Sequence, residues 1–464
     1  MQLVTNLNID TIHSVYLIGV KGSAMTALAE ILVARGIKVS GSDVTDVFYT
    51  DALLKKVGVK IYKGFSKKNI PQQVDLIIHS TAYNKNNNIE IATALKAKRI
   101  LINCPEAIGL IFNQLFGIAV CGTHGKTTTS AMLAEILRGA GMNPTALIGS
   151  KVINWGSASL SGDGQHFIIE ADEYQNKLQY YNPKMVVVTN IDYDHPDFFK
   201  SRASYVKVFK DFFRKIPAKG FLIANSEDKK SQEIANNLTC QCVNFGNNQK
   251  AGFKLISREV VATGGQKITF SIPKGEEVVF NLKLLGEHNA LNALTAITAA
   301  YQLGVTAKKA TKILENFKSS ERRLQKIKNF SRGVLYDDYA HHPREIKMTL
   351  KAIRERYPSK KIIVAFHPHT FSRTKKFFKA FGQALTLADQ VYILDIYSSA
   401  REMKSEAEFN SEHLAGLVNQ LGGKAEHIPT IEKLAPVIVK EMNENSVFIS
   451  MGAGDVWKIH ALIK

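Results

Sequence analysis

Cysteine is scarce, with four in 464 residues. Cys104, Cys121, Cys240 and Cys242 form no Cys-x-x-Cys pair, and no Cys/His cluster near Cys240 and Cys242 completes a zinc site. A disulfide framework is excluded, and a reducing, cytoplasmic setting fits. Long apolar runs are also missing: none reaches the ~18 residues a membrane span needs. The opening MQLVTNLNID lacks a basic n-region and an apolar h-region, so no signal peptide is expected. Acidic residues are outnumbered, 41 against 60 basic, for a net charge of +19. The basic residues lie in dispersed pairs such as Lys55-Lys56, Lys67-Lys68, Lys360-Lys361 and Lys375-Lys376. That pattern is a solvated surface suited to small phosphorylated substrates. Neither nucleic acid nor a membrane is an expected partner. No low-complexity tract or short internal repeat is present.

What is there reads as a soluble globular chain, 45% hydrophobic and 22% charged, long enough for two or three domains. Its organising stretch is Ile118–Ser130, IAVCGTHGKTTTS. An apolar strand enters a Gly-x-x-Gly-Lys-Thr-Thr turn, and a helix pattern follows. Gly122 and Gly125 let backbone N–H groups, with Thr123, His124 and Thr128 beside them, approach phosphate oxygens. The helix dipole adds positive character. Lys126 supplies a charge for the β/γ-phosphates, and the Thr127 hydroxyl can ligate Mg²⁺.

Upstream, VYLIG, a glycine-bearing turn (Gly19, Lys21, Gly22, Ser23, Met25) and a helix over 26–35 precede a strand with Asp43 at its tip. This is a βαβ unit of dinucleotide-binding type, and Lys21 could face a diphosphate. Downstream, strands end in Glu170 and in Asn190, Asp192, Asp194 and His195, where open α/β sheets bind ligands. Glu170 could bridge two metal ions, ahead of Asp172 and Glu173 as substitutes, and His195 could ligate the second; the lesser alternative for His195 is a turn histidine bonded to backbone. The stretch 240–285 alternates like antiparallel β. Asn289 and Asn292 suit a purine edge, although Asn289 could simply cap its helix. The last third reads as α/β, with a helix over 375–385. Asp337, Asp338, His341 and His342 follow one strand, and His367, His369 and Arg373 the next, a concentration of titratable groups that marks a site. The fold class is α/β in three domains: 1–112, Rossmann-like; 113–317, a P-loop-type ATPase with an added antiparallel part; and 318–464, Rossmann-like, with a linker near 112–116.

The motifs SGSD (40–43), GTHGKTTT (122–129), EADEY (170–174), TNIDYDH (189–195), GEHNALNA (286–293), ERR (321–323), DDYAHHPREI (337–346), HPHTFSRT (367–374) and LADQVYILDIYSSARE (387–402), in this order, resemble the Mur ligase superfamily. Within it they are most similar to the branch that joins L-alanine to UDP-N-acetylmuramate in peptidoglycan synthesis. The resemblance implies an ADP-forming ligation through an acyl phosphate, with ATP and Mg²⁺. Gly19, Gly22, Ser23 and Met25, with Asp43 nearby, would face the UDP-sugar. Lys126 and Thr127 would hold phosphates and Mg²⁺, and Glu170 and His195 would be metal ligands. His288, Asn289 and Asn292 would lie by the adenine. Arg323 and Asp338 would reach ATP from the third domain. Tyr339, His341 and Arg373 would border the amino acid. Lys126, His341 and Arg373 are the catalytic candidates, with His341 or a nearby carboxylate taking the amine's proton. Four positions depart from the pattern. Lys21 and Ala24 stand where glycines are usual, Tyr174 replaces a serine, and Thr370 replaces an arginine. Tyr174 is shared with the recycling ligase that attaches a whole tripeptide, so that acceptor is the alternative; a non-catalytic UDP-sugar or ATP sensor is another. A monomer or homodimer is expected.

Overall fold

The computed structural model describes residues 7–330, 333–397 and 410–463. Met1–Asn6, on which the leader reading partly rests, and Ser398–Glu402, the end of one quoted motif, lie outside the described residues. Three sheets follow one another along the chain. The first is parallel and five-stranded. Ser14–Ile18 sits at its centre, between Lys38–Asp43 and Leu76–His79, with Lys60–Lys63 and Leu101–Asn103 at the edges. Glu90, wholly buried, ties its strand ends together. It accepts from Ser42 Oγ (2.5 Å), Tyr16 OH (3.1 Å), Ser66 N (2.9 Å) and Asn69 Nδ2 (2.8 Å).

The middle sheet has ten strands. Phe116–Cys121 lies between Met185–Val188 and His166–Glu170, parallel to both. MVVV is buried at every position, as a strand covered on both faces must be. Because later strands flank the first on both sides, its carboxyl end opens at the switch point of the sheet. One expectation is corrected here. Gln241–Gly246 runs parallel to Phe221–Asn225, because the helix Lys229–Ala235 carries the chain back across the sheet. Antiparallel pairing begins only with Phe253–Val260, Gln266–Ser271 and Glu277–Leu282. The helix Glu287–Gln302 then packs its small-residue face, Ala290, Ala293, Ala296, Ala299 and Ala300, all buried, in the core beside the phosphate-loop helix Lys126–Gly139. The hairpin Thr145–Val152/Ser157–Leu160 docks on the first lobe, where Glu30 accepts from Ser157 Oγ and Ser159 Oγ, each at 2.6 Å.

The third sheet has six strands, with the fully buried Ser446–Met451 between Gly333–Asp338 and Lys361–Phe366. The helix expected over 375–385 is two, Phe371–Lys376 and Phe378–Leu385, broken at Phe377, whose backbone leaves the helical region (φ −107°, ψ 18°).

Candidate functional site

The phosphate loop is shaped by two glycines at positive φ, Gly122 (+121°) and Gly125 (+84°). A Cβ at Gly122 would lie 2.4 Å from Thr189 Oγ1, and one at Gly125 2.5 Å from Asn292 Oδ1. Gly125 is the N-cap of Lys126–Gly139 and makes no side-chain cap, so the first-turn N–H groups lack intrahelical partners and suit anionic oxygens. Thr123 faces inward, its Oγ1 donating to Asp192 O (2.6 Å) and accepting from Asp192 N (2.8 Å).

Lys126 folds back over this loop. Its Nζ donates to Gly122 O (2.6 Å), Thr123 O (3.2 Å) and Glu173 Oε2 (3.1 Å). Burial works against its charge, but Glu173, Asp172 and Glu170 outweigh burial and raise its pKa above that of an ordinary lysine. Thr127 Oγ1 donates to Glu170 Oε1 (3.0 Å) and accepts from Arg323 Nη2 (2.9 Å), while Gly149 N holds Glu170 Oε2 (2.7 Å). His195, at φ +54°, turns elsewhere: its Nε2 lies 3.8 Å from Glu173 Oε1. Asp172, Glu173 and His195 each bring one ligand atom within 4.8 Å of the others. The structure thus divides the expected metal residues into two groups, Thr127 with Glu170, and His195 with Glu173 and Asp172. The carboxylates are hard oxygen donors, Glu173 paired with Lys126 and Asp172 with Lys177 (2.5 Å), a set that fits Mg²⁺. Tyr174 packs its ring against the His195 imidazole (4.8 Å between centroids) and donates to Asp197 Oδ2 (2.9 Å).

The third lobe closes on this face. His124 Nδ1 lies 3.0 Å from Glu345 Oε1. Arg373 Nε donates to Asp194 Oδ1 (3.0 Å), both side chains buried, and Nη1 faces His369 Nδ1 at 3.1 Å. Burial opposes ionisation of Asp194, but the Arg373 guanidinium wins and holds its carboxyl well below the usual range. Arg373 is therefore committed to the lobe contact rather than open toward an amino acid. Tyr339 lies under the guanidinium groups of Arg322 (5.1 Å) and Arg323 (5.0 Å) and edge-on to His341 (5.3 Å). Burial, aided by Arg373, pushes His341 down to about 3. The ring is neutral near pH 7 and weakly basic, which disfavours it as acceptor of an amine proton. Burial lifts the Asp338 carboxyl to about 6, against its bonds from Thr349 Oγ1 (2.6 Å) and Ala340 N (3.0 Å).

A cavity runs between the middle and third lobes and is lined by His124, Gly125, Thr128, Phe245, His288, Asn289, Asn292, Arg323 and Asp338. It joins eight of the twelve residues expected near a nucleotide; Gly122, Thr123, Lys126 and Thr127 lie outside its lining. His288 is pushed down to about 4, by burial first and Arg258 second, so it is neutral there. Asn289 Nδ2 bonds back to Leu285 O (2.8 Å), and Asn292 Nδ2 to Asn289 Oδ1 (3.2 Å).

The first lobe corrects one expectation. Lys21 is not free to meet a diphosphate: its Nζ donates to Val44 O (3.0 Å) and Asp46 O (2.6 Å) and pairs with Asp51 (3.2 Å). Asp43 is likewise spent on backbone, accepting from Lys21 N (2.7 Å) and Val44 N (2.8 Å). Met25 is buried in the core, so only its backbone N–H, in the first helical turn, is placed for a ligand. Gly19 (φ +82°) approaches Tyr83, and Ser23 Oγ lies 2.8 Å from Tyr49 OH. Sequence reasoning missed Glu345, which holds His124 and the His341 amide (3.1 Å). Its signal was present: a glutamate three residues after the helix cap His342, with Pro343 between, is a capping box.

The chain matches three family models: Mur ligase family, catalytic domain (residues 14–115), Mur ligase middle domain (120–300), and Mur ligase, glutamate ligase domain (322–454). It is 34% identical to UDP-N-acetylmuramate–L-alanine ligase of Desulfitobacterium hafniense, over 96% of this chain and 98% of that one. With the enzyme of the same name from Clostridium acetobutylicum the identity is 37%, over 98% of each. The crystal structure of UDP-N-acetylmuramate–alanine ligase from Thermotoga maritima superposes with a TM-score of 0.81 at 27% identity, covering 97% of this chain and 98% of that one.

Proposed function

The chain belongs to the Mur ligase family, and on that footing we infer that it joins L-alanine to the carboxylate of UDP-N-acetylmuramate, using ATP, in peptidoglycan precursor synthesis. The observation that carries this reading is full-length similarity at 34% and 37% identity to ligases of that name, together with a cavity where the phosphate loop and third-lobe residues meet. The tripeptide acceptor is not favoured.

In our assignment, residues 1–112 hold the UDP-sugar, 113–317 the ATP, and 318–464 the amino acid while closing over ATP. The reaction is ADP-forming. The sugar carboxylate attacks the γ-phosphorus, the β/γ bridging bond breaks, and an acyl phosphate forms. The alanine amine then adds to the acyl carbon, loses a proton, and inorganic phosphate departs. Both partners in the first step are anionic, so positive charge must offset their repulsion; Lys126 and Arg323 supply it. Thr127 and Glu170, and Glu173, Asp172 and His195, would hold Mg²⁺, which supplies charge neutralisation at the phosphates. Asp338 and His288 line the nucleoside end, with Asn289 and Asn292. Lobe closure keeps water from the acyl phosphate. Tyr339 and His341 border the acceptor, His341 as a neutral hydrogen-bonding group. ADP release with UDP-N-acetylmuramate plus L-alanine, against either alone and against glycine, L-serine and a free tripeptide, tests the reading. Release that ignores L-alanine, or ligation of the tripeptide only, overturns it.

A further inference from the structure

The geometry points to a further metal site, apart from the two carboxylate groups described above, for a transition-series dication such as Zn²⁺, formed by His124, Asp192 and His342 at the seam of the middle and third lobes. These residues come from the phosphate loop, the loop after Met185–Val188, and the cap of the helix Pro343–Arg356. One ligand atom from each lies within 4.8 Å of the others. The two histidines are only 7% and 5% exposed. Their Nε2 atoms are both buried and, among the described residues, have no hydrogen-bond partner. Orphaned ring nitrogens are uncommon in folded proteins and call for a partner. Two of them beside one carboxylate make a ligand set.

The surrounding contacts agree. With the proton on His124 Nδ1, where Glu345 Oε1 lies at 3.0 Å, the Nε2 lone pair is open to an ion, the usual support for a metal-binding imidazole. Burial opposes a charged ring, but Asp192 and Glu345 raise its pKa, so the ion takes the place of a proton. That Nε2 lies 3.8 Å from Asp192 Oδ2, too long for a hydrogen bond. An ion bonded at roughly 2.0–2.2 Å to both fits between them after a small contraction. Phe377 packs edge-on against the His342 ring, 4.8 Å between centroids, and the His124 ring lies at 4.7 Å. Two groups must yield. His342 Nδ1 gives up its long bond from Arg344 N (3.3 Å). The half-exposed Arg344 guanidinium, 3.6 Å from Asp192 Oδ2, swings to solvent. Two imidazoles and one carboxylate select a borderline cation over Mg²⁺. The oxygen-rich Asp172, Glu173 and His195 group has the opposite preference. Since its ligands belong to two lobes, the ion clamps them together and slows the opening that product release needs.

The test titrates the full chain with Co²⁺ in Mg²⁺-free buffer, without nucleotide, following visible absorption. One equivalent of Co²⁺ with a four-coordinate spectrum, displaced by Zn²⁺, is expected. His342→Asn keeps a helix-capping side chain and should weaken Co²⁺ binding at least tenfold, whereas His195→Asn should not change it. Should His342→Asn fail to fold, Asp192→Asn is read by the same titration, with the same loss expected. Binding that survives in His342→Asn, binding that disappears in His195→Asn, or no Co²⁺ uptake by the unmodified chain overturns the proposal. None of these readouts depends on ligase turnover, so its failure is distinct from failure of the alanine-ligation reading.

Discussion

Lys126 and Asp338 show what a single side chain can and cannot reveal before folding. Lys126 is a candidate from the sequence because glycines, lysine and threonines in that order serve one chemistry, and the structure sets its ammonium group over the glycine turn. Lys126→Ala should lower turnover at saturating ATP by about 10²–10³-fold in an ADP-release assay. Asp338 is a site candidate from the sequence, but its environment is not legible there, since burial is a property of the packed molecule. Its folded pKa of about 6 lies above the ordinary carboxylate value. Below the ordinary value both states are protonated and the group is neutral to stability. As the pH rises toward 6 the unfolded chain ionises first, so the folded state loses up to about 3 kcal/mol, and the loss is complete above 6. Thermal melts from pH 4 to 7 should therefore fall less steeply for Asp338→Asn than for the unmodified chain. Lys21 shows the converse. A lysine in a glycine turn suggests a phosphate contact, yet the carbonyls of Val44 and Asp46 already claim it. Nothing local announces an acceptor 23 or 25 residues away.

At the scale of elements, continuous apolar runs gave the central strands away. Ile118–Val120 and Met185–Val188 read as strands and are buried on both faces, as is Ser446–Met451. The direction of Gln241–Gly246 did not read, because parallel pairing depends on the crossover helix before it, not on its own residues. Thr145–Val152 was also missed, as its burial alternates irregularly where it leaves the sheet to meet the first lobe. The element whose start matters most is the phosphate-loop helix. Gly125→Ala would place a methyl group against Asn292 Oδ1 and force a side chain to φ +84°. The backbone term alone is about 1–2 kcal/mol. Calorimetry should show nucleotide affinity reduced about tenfold or more, with a lower melting temperature.

Across the whole molecule, three lobes were foreseeable from three successive α/β patterns, but their closure was not. The contacts that draw the third lobe down join residues 97, 179 and 221 positions apart: Arg258 with Glu355, Arg373 with Asp194, and His124 with Glu345. Arg258 grips both carboxylate oxygens of Glu355 (2.8 and 2.7 Å), and Arg356 donates to Val261 O (3.1 Å) and Ala262 O (2.8 Å). These lie away from the phosphates, at the added antiparallel strands. The double variant Arg258→Ala/Arg356→Ala should favour an opened form, seen in solution scattering as a larger radius of gyration that saturating ATP reverses.

The folded-back posture of Lys126 has a kinetic outcome. The ammonium group acts as a resident counter-ion for the acidic nest, so an arriving triphosphate must draw it away from Glu173 and the loop carbonyls. Stopped-flow mixing with a fluorescent ATP analogue should then show an observed rate that levels off as analogue concentration rises. Glu173→Gln, by slackening the lysine's tether, should raise that plateau.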